Sequence, residues 1–282
     1  MSSEKPILVT GATGNVGAPL VSYLVAMGET VVTAGLKDDG AGTEPRRLDF
    51  EDATTFPTAL RDIGRVFLMR PPQISDTKKF FRPFINAMSD AGVDHVAFLS
   101  LMGVNRAMPH WRIEQDLRAS TLPWTFLRPS FFAQNLGGAY RADIRDHDRI
   151  RVASGRGRTS FVDTRDVATV AAQVLSDPSP HRGEAYTLTG PQALDYHEVT
   201  SLLSAAMGRP INYEPIGFLT YRKELRDQRL PGAFVNVQLL INAIARLGLA
   251  ARIDNTLPRL LGRSATELET YISDHVPLWT KD

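Results

Sequence analysis

Residues 9–17 read VTGATGNVG and follow directly on the apolar run Ile7-Leu8-Val9. Three glycines, Gly11, Gly14 and Gly17, stand three apart where that run stops. The run predicts a strand. Residues 15–28, NVGAPLVSYLVAMG, carry helical apolar spacing and close on Gly28. A glycine loop at this junction is either a plain turn or a cradle for phosphate. The start of a helix leaves backbone N–H groups unpaired and carries partial positive charge, so it receives anions. In the cradle reading Gly11 permits the tight turn and Gly14 lets a pyrophosphate approach the backbone. Gly17 lets the helix pack on the strand, and Thr13, Asn15 and Val16 complete the loop. The spacing is G-x-x-G-x-x-G rather than G-x-G-x-x-G.

Outward from the loop the chain alternates. TVVTAGL (30–36), RVFLM (65–69), HVAFLS (95–100) and WTFLRP (124–129) read as strands. ATTFPTALRDIG (53–64), TKKFFRPFINAMSDAG (77–92) and RIEQDLRAS (112–120) read as helices between them, with a third short strand ahead of Asp49. Short apolar strands alternating with helices imply parallel pairing through right-handed crossovers, with both faces of the sheet covered. This is a doubly wound α/β domain with a mostly parallel sheet. After Pro129 the rhythm breaks. Residues 130–161 read as loop-rich with a short strand at RIRVAS, and DVATVAAQVLS (166–176) is a helix behind Asp163-Thr164. EAYTLTGP and INYEPI read as strands, LDYHEVTSLLSAAMG as a helix, and the tail from about Phe218 as mostly helical. The expected organisation is one domain over 1–282. Its core spans about 1–130 and 160–190, and a small helical substrate lobe spans about 131–159 and 191–282.

Composition narrows the function. The chain has 282 residues, 43% hydrophobic and 22% charged, with formal net charge +1. No global field steers it to DNA or anionic lipid, so neither nucleic acid nor membrane is an expected partner. It has no cysteine, which excludes disulfides, thiolate catalysis and cysteine metal sites and fits a cytoplasmic location. MSSEKPILVTGATG, with Glu4 and a four-residue apolar run, does not read as a signal peptide, and no stretch approaches a membrane span. The six histidines never fall in HxxH or HExxH spacing, so no metal site is expected. There is no G-x-S-x-G elbow. Arg145, Arg149, Arg151, Arg156 and Arg158 form a basic stretch, diluted by Asp143, Asp146 and Asp148, that reads as a solvated loop.

ILVTGATGNVG, LDFEDATTFPTAL, VFLMRPP, HVAFLSLMGV, HWRIEQDLRASTLPWTFLRPSFFAQN and FVDTRDVA, in that order, resemble the NmrA-like family of atypical short-chain dehydrogenase/reductases. The resemblance runs from about residue 6 to about residue 190 and weakens in the tail. It implies an NAD(P)-binding Rossmann fold with a small C-terminal lobe, and either a reductase or a non-catalytic redox sensor. It places Asp49 where the family meets the adenine amino group; the alternative for Asp49 is a helix-capping acid. Arg70 and Pro71 would line the cofactor groove. Lys37, with Arg46, favours NADP over NAD, which stays open because Asp38 and Asp39 act the other way.

Most short-chain reductases use a Tyr-x-x-x-Lys pair as proton donor and its support. None of the seven tyrosines here has lysine four residues on. The resemblance puts His110, four residues before Glu114, where relatives carry a lysine or histidine facing the nicotinamide ribose. It puts Ser100 at the family's catalytic serine or threonine position, and Tyr140 beside the aromatic loop. The alternatives are a helix-capping surface histidine, a turn serine and a tyrosine that stays out of the pocket. Substrate is expected between the SLMGVN and RPSFFAQN loops and the helical lobe. Without a strong acid, the expected activity is NAD(P)H-dependent hydride transfer to a small electron-poor acceptor: a quinone, an iminium or a conjugated enone. A cofactor-binding sensor and a cofactor-dependent isomerase or cyclase are the competitors. A homodimer stays open.

Overall fold

Seven short strands lie parallel in one sheet, most of them apolar and buried over most of their length. They are β1 (Ile7–Thr10), β2 (Val31–Gly35), β3 (Glu44–Arg47), β4 (Arg65–Met69), β5 (His95–Leu99), β6 (Trp124–Pro129) and β7 (Glu184–Leu188). Their order is β7-β6-β5-β4-β1-β2-β3. This computed structural model describes residues 5–35, 44–230 and 232–281. All six strand pairings are parallel, so the sheet is doubly wound and reverses direction between β1 and β4. In such sheets ligands bind in the crevice outside the carboxyl ends at that reversal.

Helices α1 (Gly17–Ala26), α2 (Thr77–Asp90) and α3 (Pro109–Ala119) make crossovers, and α4 (Thr164–Ser176) precedes β7. α2 shows why the sequence folds this way. Asp76 caps it by accepting the Lys79 amide at 3.0 Å, and Phe81, Phe84, Ile85 and Met88 recur on one buried stripe. Phe50 stacks on Phe81 with centroids 4.6 Å apart and meets Phe84 edge-on at 5.2 Å. Burial of each of these phenylalanines is worth roughly 1.5–3 kcal/mol. The same contacts pin Phe50, the neighbour of Asp49, from behind.

Two stretches differ from expectation. Residues 53–64 form only a 3-10 turn (Ala53–Thr55) and one turn of helix (Phe56–Ala59), because Asp62 adopts a left-handed φ of 60° that turns the chain into β4. Residues 130–161 hold a helix, Arg141–His147, and strands Phe131–Phe132 and Thr159–Val162 besides the expected Arg149–Val152. That helix is too short to show an apolar period, and the left-handed Asp148 stops it.

The chain divides into two compact units, residues 1–129 with 165–188, and residues 130–164 with 189–282. The second packs its own core around Tyr140, Tyr196, Tyr221, Tyr271 and Trp279. Arginines of its basic stretch are ion-paired within the unit: Arg145 with Asp146, Arg149 with Asp143 and Glu214, Arg151 with Glu214 and Glu224, and Arg158 with Glu198. Among the described residues no helix is long and apolar enough to cross a membrane.

Candidate active site

β1 ends on Thr10, whose side chain ties the reversal point together. Its hydroxyl donates to the Phe67 carbonyl at 2.9 Å and accepts the Met69 amide at 2.8 Å. β1 and β4 are therefore locked side by side where they release the chain. Gly11 follows at φ +65°, a conformation that glycine adopts freely. The loop closes when the Gly14 amide donates to the Gly11 carbonyl at 2.9 Å. A Cβ on Gly17 would lie 2.1 Å from the Gly11 carbonyl oxygen, so α1 reaches this close only without a side chain there. A Cβ on Gly14 would meet only the Gly11 oxygen, at 3.2 Å; its other side faces open space. No side chain caps α1, whose cap residue is the buried Val16. The amides at its start are left without a side-chain acceptor.

Over this loop lies a groove of about 720 Å³. Residues 10–13 form its floor; Ala34, Gly35 and residues 48–51 one wall; Met69, Pro71, Gln73 and Ile74 the other. Gly11, Thr13, Asp49 and Pro71 thus line it. Gly14, Gly17, Asn15 and Val16 continue the loop into α1. Lys37, like Leu36, Asp38 and Asp39, lies outside the described residues. Arg46, read as an aid to a 2′-phosphate, is committed elsewhere: it pairs with Glu44 at 2.8 Å and donates to the carbonyls of Ala59 and Arg61.

Asp49 does not cap a helix. Its Oδ1 accepts the Glu51 amide at 2.9 Å in a local turn, and Asp52 caps the 3-10 turn by accepting from Thr54. Asp49 is half-buried on the groove wall.

Arg70, the first residue beyond β4, folds back on its own loop. Its Nη1 donates to the carbonyls of Pro71 at 3.0 Å, Pro72 at 3.2 Å and Ile74 at 2.6 Å. Its Nε is buried with no hydrogen-bond partner, and among the described residues no carboxylate pairs with it. Burial pulls its guanidinium below the ordinary pKa.

Ser100 is buried just past β5. Its hydroxyl donates to Glu114 Oε1 at 2.7 Å. Arg128, on β6, holds the same carboxylate through Nε at 2.9 Å and Nη2 at 2.5 Å. Glu114 is 1% exposed, so α3 carries a buried carboxylate that is fully engaged between the ends of β5 and β6. Sequence reading noted Glu114 only for its distance from His110. The sequence signal for its pairing is a carboxylate at i+1 from the buried Ile113, facing arginine on the next strand.

His110 sits in the first turn of α3 behind the cap residue Met108, so it is not the cap. It is half-buried, its ring 6.1 Å from that of Phe98. Burial first, and then the Arg70 charge, push its pKa down to about 3. Tyr140 belongs to the second unit. It is buried there, 3.4 Å from the Tyr196 hydroxyl, and burial followed by Tyr196 raises its pKa well above the ordinary phenol value. Among the described residues no cluster of three histidines or carboxylates could hold a metal.

The NmrA-like family profile matches residues 3–272 of the chain. The NAD(P)H azoreductase of Xenophilus azovorans is 31% identical, over 95% of this chain and 97% of its own. An uncharacterised oxidoreductase of Bacillus subtilis, YesF, is 29% identical over 99% of this chain and 98% of its own. Among solved structures, the triphenylmethane reductase of Citrobacter superposes with a TM-score of 0.85 at 22% identity, covering 96% of this chain and 99% of that one.

Proposed function

The chain belongs to the NmrA-like family, and from that premise we propose that it is an NADP(H)-dependent oxidoreductase that delivers hydride to a small electron-poor organic acceptor. NAD(H) is the second cofactor it would accept. The observation that carries this reading is the groove at the β1/β4 reversal, with an uncapped helix start and a glycine loop in which a Cβ on Gly11 or Gly17 would clash. The azoreductase relative supports it.

The chain's own residues fit the cofactor. The amides of the Gly11–Gly17 loop would hold the pyrophosphate. Asp49 would accept from the adenine amino group, and Pro71 would wall the groove opposite. Lys37 would meet a 2′-phosphate. A bound reduced nicotinamide supplies the hydride. Ser100, donating to Glu114, keeps lone pairs free and so can orient a donor group; it is no acid. A neutral His110 offers one N–H. Neither residue is a strong proton donor, which favours acceptors that take hydride before any proton: quinones, iminium ions and conjugated enones.

A cofactor-binding sensor is the competing reading, favoured by the missing Tyr-x-x-x-Lys. It predicts NADPH binding with no turnover on any acceptor. The experiment is calorimetry and NADPH oxidation with a quinone and dye panel, on the parent and on Gly14→Val. A Cβ at this position meets only the Gly11 carbonyl oxygen, at 3.2 Å, so the variant should fold and lose NADPH affinity by at least about tenfold, that is about 1.4 kcal/mol. Unchanged affinity in a folded variant removes the cradle.

A further inference from the structure

We propose that Arg70 selects the charge of the acceptor, admitting neutral and anionic molecules that become anions on taking hydride and rejecting cationic ones. This rests on the reductase reading and narrows it. Met69 pairs with Leu99 across β4 and β5, so Arg70 and Ser100 are the next residues at the carboxyl edge, beside the β1/β4 reversal. The side chain does not line the glycine-loop groove; its charge is felt at His110, on the β5 side.

Its three bonds through Nη1 all go to neutral carbonyls, and its Nε is a buried donor with nothing to bond. The α3 carboxylates cannot neutralise it: Glu114 is held by Arg128 and Ser100, and Asp116 by Arg82 at 2.7 Å. A partly desolvated cation lacking a counter-charge gains most from an anion.

The chemistry follows. A quinone that takes hydride from reduced nicotinamide becomes a hydroquinone monoanion, and the nicotinamide is oxidised; the remaining proton comes from water. A conjugated enone becomes an enolate in the same way. Arg70 stabilises both anions as charge develops. An iminium or triarylmethyl cation becomes neutral, so its approach to Arg70 is repelled and nothing is stabilised in return.

The test compares 1,4-naphthoquinone, its 2-sulfonate and a cationic triarylmethyl dye as acceptors at fixed NADPH, with the parent, Arg70→Gln and Arg70→Lys. Calorimetry follows the sulfonate and the neutral quinone on the NADP⁺-loaded protein, and NADPH on the free protein. The parent should rank sulfonate above neutral quinone above dye in kcat/KM. Arg70→Gln should cut the sulfonate value about 10- to 100-fold and the neutral one less, with NADPH affinity within about threefold. Arg70→Lys, which keeps the charge and loses the three-carbonyl clamp, should keep the ranking. A dye turned over as fast as the sulfonate overturns the proposal, and so does an equal loss on all acceptors. A loss of NADPH affinity in Arg70→Gln assigns the residue to the cofactor instead. If no acceptor turns over, sulfonate binding that is tighter than quinone binding and lost in Arg70→Gln keeps the charge selection and removes the reductase. Binding blind to charge removes the selection alone.

Discussion

His110, in the first turn of α3, is a neutral ring. Burial and then the Arg70 charge push its pKa down to about 3, which leaves it unprotonated near neutral pH. A neutral imidazole offers one hydrogen bond, whereas a general acid contributes about 10²–10⁴-fold. One neutral hydrogen bond is worth about 0.5–1.5 kcal/mol, so His110→Ala should lower kcat/KM by about tenfold and no more. The kcat/KM profile of the parent should carry no inflection from this ring between pH 5 and 8. An inflection near 6.5 that disappears in His110→Asn would show a protonated acid in the working enzyme. Tyr140→Phe is the companion measurement: its phenol is buried and its pKa is raised, so it holds its proton tightly. If Tyr140→Phe costs more than His110→Ala, the order of the two residues in proton supply is reversed.

At the scale of elements, the junction from β1 to α1 is the most constrained part of the fold. A Cβ on Gly17 meets the Gly11 carbonyl oxygen at 2.1 Å, its carbon at 2.7 Å and the Ala12 Cα at 2.9 Å, all backbone atoms that cannot swing aside. Gly17→Ala should therefore destabilise by about 2 kcal/mol or more, the upper part of the overpacking range, measured by chemical denaturation. Gly14→Ala, with a single contact at 3.2 Å, should change stability by less than about 1 kcal/mol. A Gly17→Ala variant as stable as Gly14→Ala would mean that the loop rearranges freely. This junction was legible in the sequence because strand, loop and helix each follow a local rule: an apolar run, glycine spacing, a 3.6-residue period. The doubly wound, mostly parallel sheet was legible for the same reason, since alternation with short apolar strands leaves few topologies. What local rules cannot show is pairing across distant positions. The Thr10 link between β1 and β4, the Glu114–Arg128–Ser100 junction and the bonds of Arg46 to the Ala59 and Arg61 carbonyls each join residues whose meeting depends on the finished fold. Short polar segments such as Arg141–His147 were missed because fewer than two turns cannot display a period.

For the molecule as a whole, acid is the condition to which stability is tied most directly. His95 on β5 is 0% exposed. Its Nε2 lies 2.9 Å from the Thr125 hydroxyl, and that hydroxyl donates to the His181 carbonyl at 2.6 Å. Thr125 has thus spent its proton, so His95 Nε2 carries the N–H and Nδ1 is an unprotonated acceptor, buried without a partner. Burial, then Arg182 and His181, lower the His95 pKa to about 4. The unfolded chain takes up a proton near pH 6.5, and the folded chain refuses it until about pH 4. Between those values the unfolded state binds more protons, so stability falls as pH falls. At pH 5 the loss from this one residue is about 2 kcal/mol relative to pH 8, and by pH 4 it approaches about 3 kcal/mol. His181, also lowered by burial, and His110 act in the same direction. The window from pH 6.5 to 5 lies above the titration of ordinary carboxylates, so the slope there belongs to histidines. Denaturant unfolding at pH 8, 6.5, 5.75 and 5 should show this loss, and His95→Gln, which keeps a donor for Thr125 and cannot titrate, should flatten the slope by about one proton. A variant that loses stability with acid as steeply as the parent would assign the slope to other groups and leave His95 a bystander.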